Sequence, residues 1–187
     1  MFAMIVLAIA APVPTENKGA ADWPAALKAR EFKFDGERSG ARNCAAAARK
    51  AGAAVEISGD GELGRSVDIK VSIKDGKPVD VLGHSGSAFV VRDGVLFFAD
   101  FSPYSNGCKL TAHDLKTGKQ AWSKPVEGLG PIAHFKYNNR ISLAIEKHPT
   151  TDAWGVVVTG WESAGRYIEV LDPATGKMLA NRKYEAK

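Results

Sequence analysis

One glycine-rich loop contains the residue types that nucleophilic catalysis uses. Gly83-His84-Ser85-Gly86-Ser87 sets a serine beside a histidine, much as the Gly-x-Ser-x-Gly turn presents a serine for attack on a carbonyl. The match fails twice, because the fifth position is Ser87 and because the residues that follow have the pattern of a strand instead of a helix. The sequence therefore predicts a loop between strands, and Ser85 is not predicted to be catalytic.

Metal and cofactor chemistry has equally little support in the spacing of ligand-type residues. The histidines are scattered and share no metal-ligand spacing with carboxylates. They are His84, His113, His134 and His148. Residues 59–64, Gly-Asp-Gly-Glu-Leu-Gly, have too few ligands for a calcium loop, and no phosphate-binding loop or dinucleotide fingerprint occurs. We predict no catalytic, cofactor-binding or metal-binding residue, while a site assembled from distant strands is left open.

The chain has two cysteines, Cys44 and Cys108. In an oxidising compartment they allow one intramolecular bond, which the chain-entropy model credits with about 4 kcal/mol. The alternative is two unrelated buried thiols. We therefore predict a possible disulfide between Cys44 and Cys108. A metal site is not predicted, because neither cysteine has a second cysteine or a histidine at ligand spacing.

The first residues of the chain predict export. Residues 2–11 are an apolar run that is too short to span a bilayer but typical of a signal peptide, and Ala8-Ile9-Ala10 is a small-residue cleavage site. No Lys or Arg precedes the run, and a buried N-terminal strand or helix is the alternative. We expect a signal peptide over 1–11, a flexible linker over 12–22, and a periplasmic or secreted protein whose mature chain has no transmembrane segment.

Composition favours an ordinary globular protein and excludes a nucleic-acid partner. The 187 residues are 45% hydrophobic and 25% charged, which is typical of a soluble domain with a hydrophobic core. The net charge of +4 arises from interspersed charges. No basic cluster with interleaved aromatic residues occurs, and a nucleic-acid groove usually needs one.

From residue 53 onwards the hydrophobic pattern has a period of two, which predicts strands. The predicted strands span residues 67–73, 78–82, 88–91, 95–98, 109–114, 120–123, 132–137, 141–146, 154–161, 167–172 and 177–184. Short turns separate many of them, and the clearest are Asp75-Gly76, Asp93-Gly94 and Asn138-Asn139, since Asp-Gly between alternating runs favours a hairpin. The connections are short, so antiparallel meanders are expected.

Helix is predicted only near the start of the chain. Residues 44–51 have high helix propensity, and Gly52 stands where a C-terminal cap would. Residues 25–30 suit a short helical turn, and residues 31–36 resemble a strand that ends in an Asp-Gly turn. We expect a single β-repeat domain over 23–187 with one short helix near its N-terminus.

One turn sequence occurs twice, at the end of each of two blade-like units that span about 87–124 and 132–184. The first copy resembles the tryptophan-docking signature of quinoprotein-like (PQQ-type) β-propellers, Ala-x-Asp-x-x-Thr-Gly-x-x-x-Trp. It matches at every fixed position, namely Ala112, Asp114, Thr117, Gly118 and Trp122. The resemblance covers about half of the chain and implies blades in which this motif is structural and binds no cofactor.

The second copy is degenerate. It keeps Asp172, Thr175 and Gly176, but has Val170 for the alanine and Ala180 for the tryptophan. A propeller usually closes with four or more blades, and this chain offers two with a partial one before them. We therefore predict an all-β fold of propeller-blade type that forms an incomplete propeller, a curled sheet or a sandwich, unless several chains complete a ring.

The predicted function follows from the absence of catalytic motifs. We expect an exported, non-catalytic β-repeat module that binds a protein or an envelope component, with a homo-oligomer as one possible state. The alternative is an enzyme, or an accessory subunit, whose active site a partner chain completes. Aromatic residues near 97–104 and at Trp154 and Trp161 either fill the core or form an exposed contact surface. A flat aromatic patch would favour the binder, and a polar cavity with histidines and carboxylates would favour the enzyme.

Overall fold

Two short helices precede all of the strands in the computed structural model, which describes residues 22–59, 65–102, 107–128, 139–162 and 165–185. The first helix, α1, spans Trp23–Ala29, and the second, α2, spans Ala41–Lys50, with a short 3-10 turn at Gly36–Arg38 between them. Helix α2 ends at Ala51, and Gly52 follows it with a φ of +89°, a conformation that suits glycine at a helix terminus. The sequence predicted one short helix, and the described chain has two.

Residues 30–35 correct a second prediction. They are not paired with any described strand, and Asp35 caps the 3-10 turn by accepting a hydrogen bond from the Glu37 N–H at 3.0 Å. The predicted strand over 31–36 was wrong, because the alternating Phe32 and Phe34 pack against the surface of a sheet instead of extending one.

The strands form three antiparallel sheets, each of which is a meander. The first sheet contains β1 (Ala54–Ser58), β2 (Ser66–Ser72) and β3 (Val79–His84). The second contains β4 (Ala88–Arg92), β5 (Val95–Phe101), β6 (Cys108–Asp114) and β7 (Lys119–Pro125). The third contains β8 (Arg140–Lys147), β9 (Trp154–Glu162), β10 (Gly165–Leu171) and β11 (Met178–Tyr184).

Turn chemistry accounts for these hairpins. Asp93 and Gly94 both have positive φ, 51° and 78°, which is the geometry of the two-residue turn that matches strand twist. Asp75, with a φ of 60°, lies in the turn between β2 and β3. The predicted hairpin at Asn138-Asn139 falls largely outside the described residues, since 129–138 are not among them.

The main core lies between the sheets, where apolar residues of all three sheets and of α2 meet. Its largest fully buried side chains include Phe101, Leu96, Leu110, Ile141 and Leu143. A second, smaller cluster lies on the other face of the β8–β11 sheet, where α1 packs. The third sheet therefore uses both faces, as its almost continuously buried β9 requires.

The described strands do not close into a barrel, and the three sheets confirm the predicted all-β fold of antiparallel meanders. The arrangement is consistent with an incomplete propeller or a curled sheet. Among the described helices, neither is long and apolar enough to cross a membrane.

Candidate functional site

The first copy of the repeated turn is held by its own side chains. Asp114 Oδ1 accepts the Lys116 N–H at 2.8 Å, and the Thr117 hydroxyl donates to Asp114 Oδ2 at 3.0 Å. Gly118 supplies a φ of +73° where the chain turns into β7. These contacts fix the hairpin.

The second copy repeats this geometry in a more buried setting. Asp172 Oδ1 accepts from the N–H groups of Ala174 and Thr175, both at 2.9 Å, and from the Thr175 hydroxyl at 3.0 Å. Gly176 has a φ of +68°. The two turns are therefore alike in backbone and in hydrogen bonding, as their shared residues predict.

Trp122 joins the two copies. Its indole Nε1 donates to the Pro173 carbonyl at 2.9 Å, and its ring lies so close to Gly176 that an added Cβ would be 2.6 Å from Trp122 Cε3. Ala112, directly opposite Trp122 on β6, is buried beneath it. The motif residues thus lock the second sheet onto the third, which is a structural role.

In the serine–histidine loop, Ser87 is held by backbone groups. Ser87 is fully buried, and its Oγ accepts from the N–H groups of His84 and Phe101 at 2.9 and 3.1 Å. Gly83 packs under the Phe98 ring, so that a Cβ there would be 2.8 Å from Phe98 Cζ. The loop ties β3 to β5, and Ser85 lies in its turn.

His84 forms the one histidine–carboxylate pair that the described residues contain. Its Nδ1 lies 3.1 Å from Asp100 Oδ1, at the rim of a cleft of about 480 Å³. The cleft is lined by Asp100, Gly107, Cys108, Lys109, Ser123, Lys124 and Pro125. Burial, together with the negative charges of Asp100 and Glu169, raises the pKa of the Cys108 thiol, so this sulfur is protonated and a poor nucleophile at neutral pH.

The possible disulfide is not formed, and both thiols are free and buried. Burial raises the pKa of Cys44 to about 11, and this thiol lies against the backbone of Phe89. Phe89 is paired with Phe98, whereas Cys108 is paired with Phe101, three residues further along β5. Three residues of strand cover roughly 10 Å, which is more than a disulfide spans. The alternative of two unrelated buried thiols is the one observed.

The other two described histidines have separate contacts. His113 contacts the Thr111 hydroxyl at 3.0 Å, and partial burial lowers its pKa. His148 packs its ring edge-on against Trp23, with centroids 4.9 Å apart. His134 lies outside the described residues. Within the described part of the chain no group of three metal-ligand residues assembles.

One buried carboxylate escaped the sequence analysis. Glu169 of β10 is 1% exposed and accepts hydrogen bonds from the backbone N–H groups of Glu127 and Gly128. Burial raises its pKa, and the two N–H groups partly offset that effect. The sequence pattern of β10 did not predict this burial, although Glu169 lies on the same face as Tyr167 and points into the main core. Burial also raises the pKa of Tyr167. Glu169 fastens the segment after β7 to the third sheet.

The most unusual surface of the molecule is aromatic. Trp161, at the end of β9, is 40% exposed, and the rings of Phe32 and Phe34 stand nearly perpendicular to it at 6.2 and 5.8 Å. The Arg166 guanidinium lies 4.6 Å from the centre of the Trp161 ring. We call the group Phe32, Phe34, Trp161 and Arg166 the aromatic–arginine surface.

Strand register explains why these residues meet. Arg140, Trp161, Arg166 and Tyr184 are direct partners across β8, β9, β10 and β11, so their side chains share one face. Arg140 is exposed, and neither it nor Arg166 has a carboxylate partner among the described residues. The result is an exposed tryptophan between two arginines.

The segment that carries the two phenylalanines is fastened to the last strand. Arg182 Nη1 donates to the carbonyls of Leu27, Lys28 and Arg30 at 2.8, 2.6 and 3.0 Å, and the Tyr184 hydroxyl donates to the Arg30 carbonyl at 3.0 Å. Arg182 thereby caps the C-terminal carbonyls of α1. The aromatic–arginine surface is pre-organised by this clamp.

Other aromatic residues proved to be core. Phe97, Phe98 and Phe101 are at most 3% exposed, and Tyr104 lies outside the described residues. Of the two alternatives for the aromatic residues near 97–104, core filling is therefore the one that holds for these three phenylalanines. No protein-family model matches the chain, and no curated protein sequence matches it either.

Proposed function

We propose that this protein is an exported, non-catalytic β-repeat module that binds another protein or an envelope component through the aromatic–arginine surface. One observation carries the proposal: an exposed tryptophan is braced by two phenylalanine rings and a stacked guanidinium. An exposed aromatic patch of this kind favours a binder over an enzyme.

The energetics of interfaces support this use of the surface. Trp, Tyr and Arg dominate the residues that contribute most to protein–protein affinity, and they work best when neighbouring groups exclude water around them. Trp161 is held before binding by its three neighbours, so little side-chain entropy remains to be lost. Arg140 and Arg166 give the surface a positive charge, which favours an acidic partner.

The alternative function as an enzyme or accessory subunit has less support. The His84–Asp100 pair is a carboxylate–histidine arrangement at a cleft, but the described residues place no nucleophile in contact with it. Ser87 is engaged by two backbone groups, and the Cys108 thiol is protonated at neutral pH. A partner chain would have to bring the missing group.

The proposal has two further parts. The second and third sheets are quinoprotein-like blades, which is supported by the seat of Trp122 on the Thr175-Gly176 turn. Export is supported by the apolar run at residues 2–11 and by the polar, proline-containing residues after it.

The binding surface is tested by retention of the purified full-length protein on envelope fractions of the source cells. Trp161→Ala should lower retention about tenfold or more, which is the effect expected when a residue that dominates the interface is truncated. Leu82→Ala is the matched control, because Leu82 is 63% exposed on a different sheet. Equal retention of wild type and Trp161→Ala, or equal losses in both variants, would contradict the proposed surface.

Export and assembly are tested by the mass in solution of protein expressed with residues 1–22 intact. A monomer from which the first residues have been removed supports a self-contained exported module. An unprocessed chain contradicts export. A defined ring-sized oligomer would show that several chains complete the propeller, and the ligand search would then move to the ring axis.

A further inference from the structure

A second recess lies on the opposite side of the third sheet from the aromatic–arginine surface. It is a groove of about 700 Å³ beside α2, a volume within the range of small-molecule sites. The 3-10 turn, the turn after β2, β4 and β8 supply its other walls. Its lining includes Ala47, Ala51, Lys74, Val91, Arg92 and Ile145. We call it the α2 groove.

The floor of the α2 groove is aliphatic. Ala47 and Ala51 are exposed, and Ile73, Val91 and Ile145 are half-buried around them. The one aromatic residue of the lining, Phe89, is 2% exposed and so offers no flat face to a sugar or a planar ring. Helix α2, which forms one wall, has ten residues and is about 15 Å long. Such a floor suits a linear hydrocarbon chain.

The polar lining of the groove is mainly cationic. Arg38, Lys74 and Arg92 reach it, whereas Asp93 is the one acidic residue of the lining. Arg92 Nε lies 3.2 Å from Asp93, and Arg38 Nε lies 3.2 Å from Asp35 beside the groove, so the positive excess rests on Lys74. The Arg92 guanidinium is held 3.5 Å from the centre of the Trp154 ring. Lys74 is exposed and has no ion-pair partner among the described residues. An apolar floor with an excess of positive charge favours an amphiphilic anion.

We propose that the α2 groove binds a single-chain fatty-acid anion. The hydrocarbon tail lies along Ala47, Ala51, Val91 and Ile145, and the carboxylate lies at Lys74. Strand β1 begins shortly after α2 ends, and its first residue, Ala54, is paired with Ser72 at the end of β2. Lys74 follows Ser72 by two residues and therefore lies near the C-terminal end of α2. The site is separate from the aromatic–arginine surface, and it does not rest on the proposed function.

The head-group requirement is tested by calorimetric titration of the full-length protein with dodecanoate below its micellar concentration. Dodecyltrimethylammonium, which has the same tail and the opposite charge, is the matched probe. We expect dodecanoate to bind and the cation to bind at least tenfold more weakly. Decanoate should bind more weakly than dodecanoate by about two- to fourfold for each methylene removed, the upper figure being that of full burial. Equal affinities for the two head groups, or none for dodecanoate, overturn the proposal.

Paired variants locate the site. Ala47→Trp places an indole in the groove and should weaken dodecanoate binding at least tenfold, whereas Ala46→Trp on the same helix, outside the lining, should leave it unchanged. Lys74→Gln should weaken binding about three- to tenfold, as expected for one exposed ionic contact, and Lys70→Gln should not. The helix content of each variant is checked by circular dichroism, and a loss of binding shared by both tryptophan variants overturns the proposed location.

Other occupants and the other surface give distinguishable outcomes. If a second copy of the chain covers the groove, light scattering will show a dimer that Ala47→Trp converts to monomer, and the fatty-acid proposal is overturned. Trp161→Ala should leave dodecanoate binding unchanged. Failure of envelope retention with intact dodecanoate binding therefore counts against the proposed function alone, and the reverse result counts against the α2 groove alone.

Discussion

The two copies of the Asp-x-x-Thr-Gly turn have the same local geometry and different surroundings. The copy between β6 and β7 is exposed at Gly118, whereas the copy between β10 and β11 is buried at Gly176. The difference has one cause, because Trp122 of the first copy covers the turn of the second. The same residues therefore close a hairpin that borders Lys77 and stays exposed in one place, and form a socket for a tryptophan ring in the other.

The position that Trp122 occupies in the first copy is Ala180 in the second. Ala180 lies in the smaller core cluster with Trp23 and Leu27 of α1. Where the second sheet uses a tryptophan of its own to meet the next sheet, the third sheet is covered by a helix from the start of the chain. The second copy thus has alanine where no further sheet packs against it, and α1 covers the apolar face of the third sheet instead.

Loss of the docking tryptophan should have the largest effect on stability. Trp122→Ala removes a large buried side chain and its hydrogen bond to Pro173, and should lower the free energy of unfolding by about 3–5 kcal/mol. Trp161→Ala, at an exposed ring, should cost about 1 kcal/mol or less. Urea denaturation compares the two variants, and similar midpoints would show that Trp122 does not hold the sheets together.

The two turn glycines should differ next most strongly. Alanine at either position is strained by about 1 kcal/mol because φ is positive at both. At Gly176 the added Cβ also meets the Trp122 ring at 2.6 Å, whereas at Gly118 its nearest neighbour is Lys77 Cβ at 3.3 Å. Gly176→Ala should therefore be less stable than Gly118→Ala by about 1–3 kcal/mol in thermal or urea unfolding. Equal losses would contradict the socket.

The motif aspartates should separate by a smaller amount. Asp172 is 8% exposed, and its removal leaves the N–H groups of Ala174 and Thr175 unsatisfied near the core. Asp114 makes equivalent bonds where water can replace it. We expect Asp172→Ala to cost about 1–3 kcal/mol and Asp114→Ala about 1 kcal/mol or less. The matched pair is measured by chemical denaturation, and a reversed order would contradict the difference in burial.

The smallest expected effect is a pH dependence of stability that arises from Glu169. Glu169 lies three residues before the aspartate of the second copy, where the first copy has Thr111, which does not titrate. Burial raises the pKa of Glu169 in the folded state, so its contribution to stability is full below its unfolded pKa and declines as pH rises through the folded value. Glu169→Gln does not ionise. The stability of wild type relative to this variant should therefore fall as pH rises above about 4.5, the unfolded value. A constant difference between the two denaturation curves over this range would contradict the raised pKa.

Much of the fold follows from short-range rules that the sequence displays. Asp93-Gly94 requires positive φ at both residues, which fixes a hairpin wherever it occurs, and the alternation of residues 67–73 requires one buried and one exposed face. The strands of the second and third sheets were predicted to within a few residues for this reason. Helix α1 was seen only as a short turn, since its buried face of Trp23 and Leu27 is too brief to establish a period.

The aromatic–arginine surface and the α2 groove depend on contacts between distant segments, which spacing does not encode. Phe32 and Phe34 alternate as in a strand, but they pack on Trp161, more than a hundred residues away in the chain. The burial of Glu169 depends on backbone groups at 127 and 128. The one sequence signal for this surface was a tryptophan, Trp161, at the end of an apolar run. A tryptophan in that position can be buried or exposed, so the signal did not predict a surface.

The clamp of Arg182 and Tyr184 on the carbonyls after α1 has a consequence for how the molecule comes apart. The first helix and the last strand of the described chain share these bonds, so neither can fray while the other stays in place. Amide hydrogens at the two extremes of the sequence should consequently exchange with solvent water as one cooperative unit. Cleavage within residues 31–35 would leave α1 held to the third sheet by these hydrogen bonds and by packing alone. If α1 then dissociated, the apolar face of β9 and β10 that it covers would be exposed to solvent and prone to aggregation.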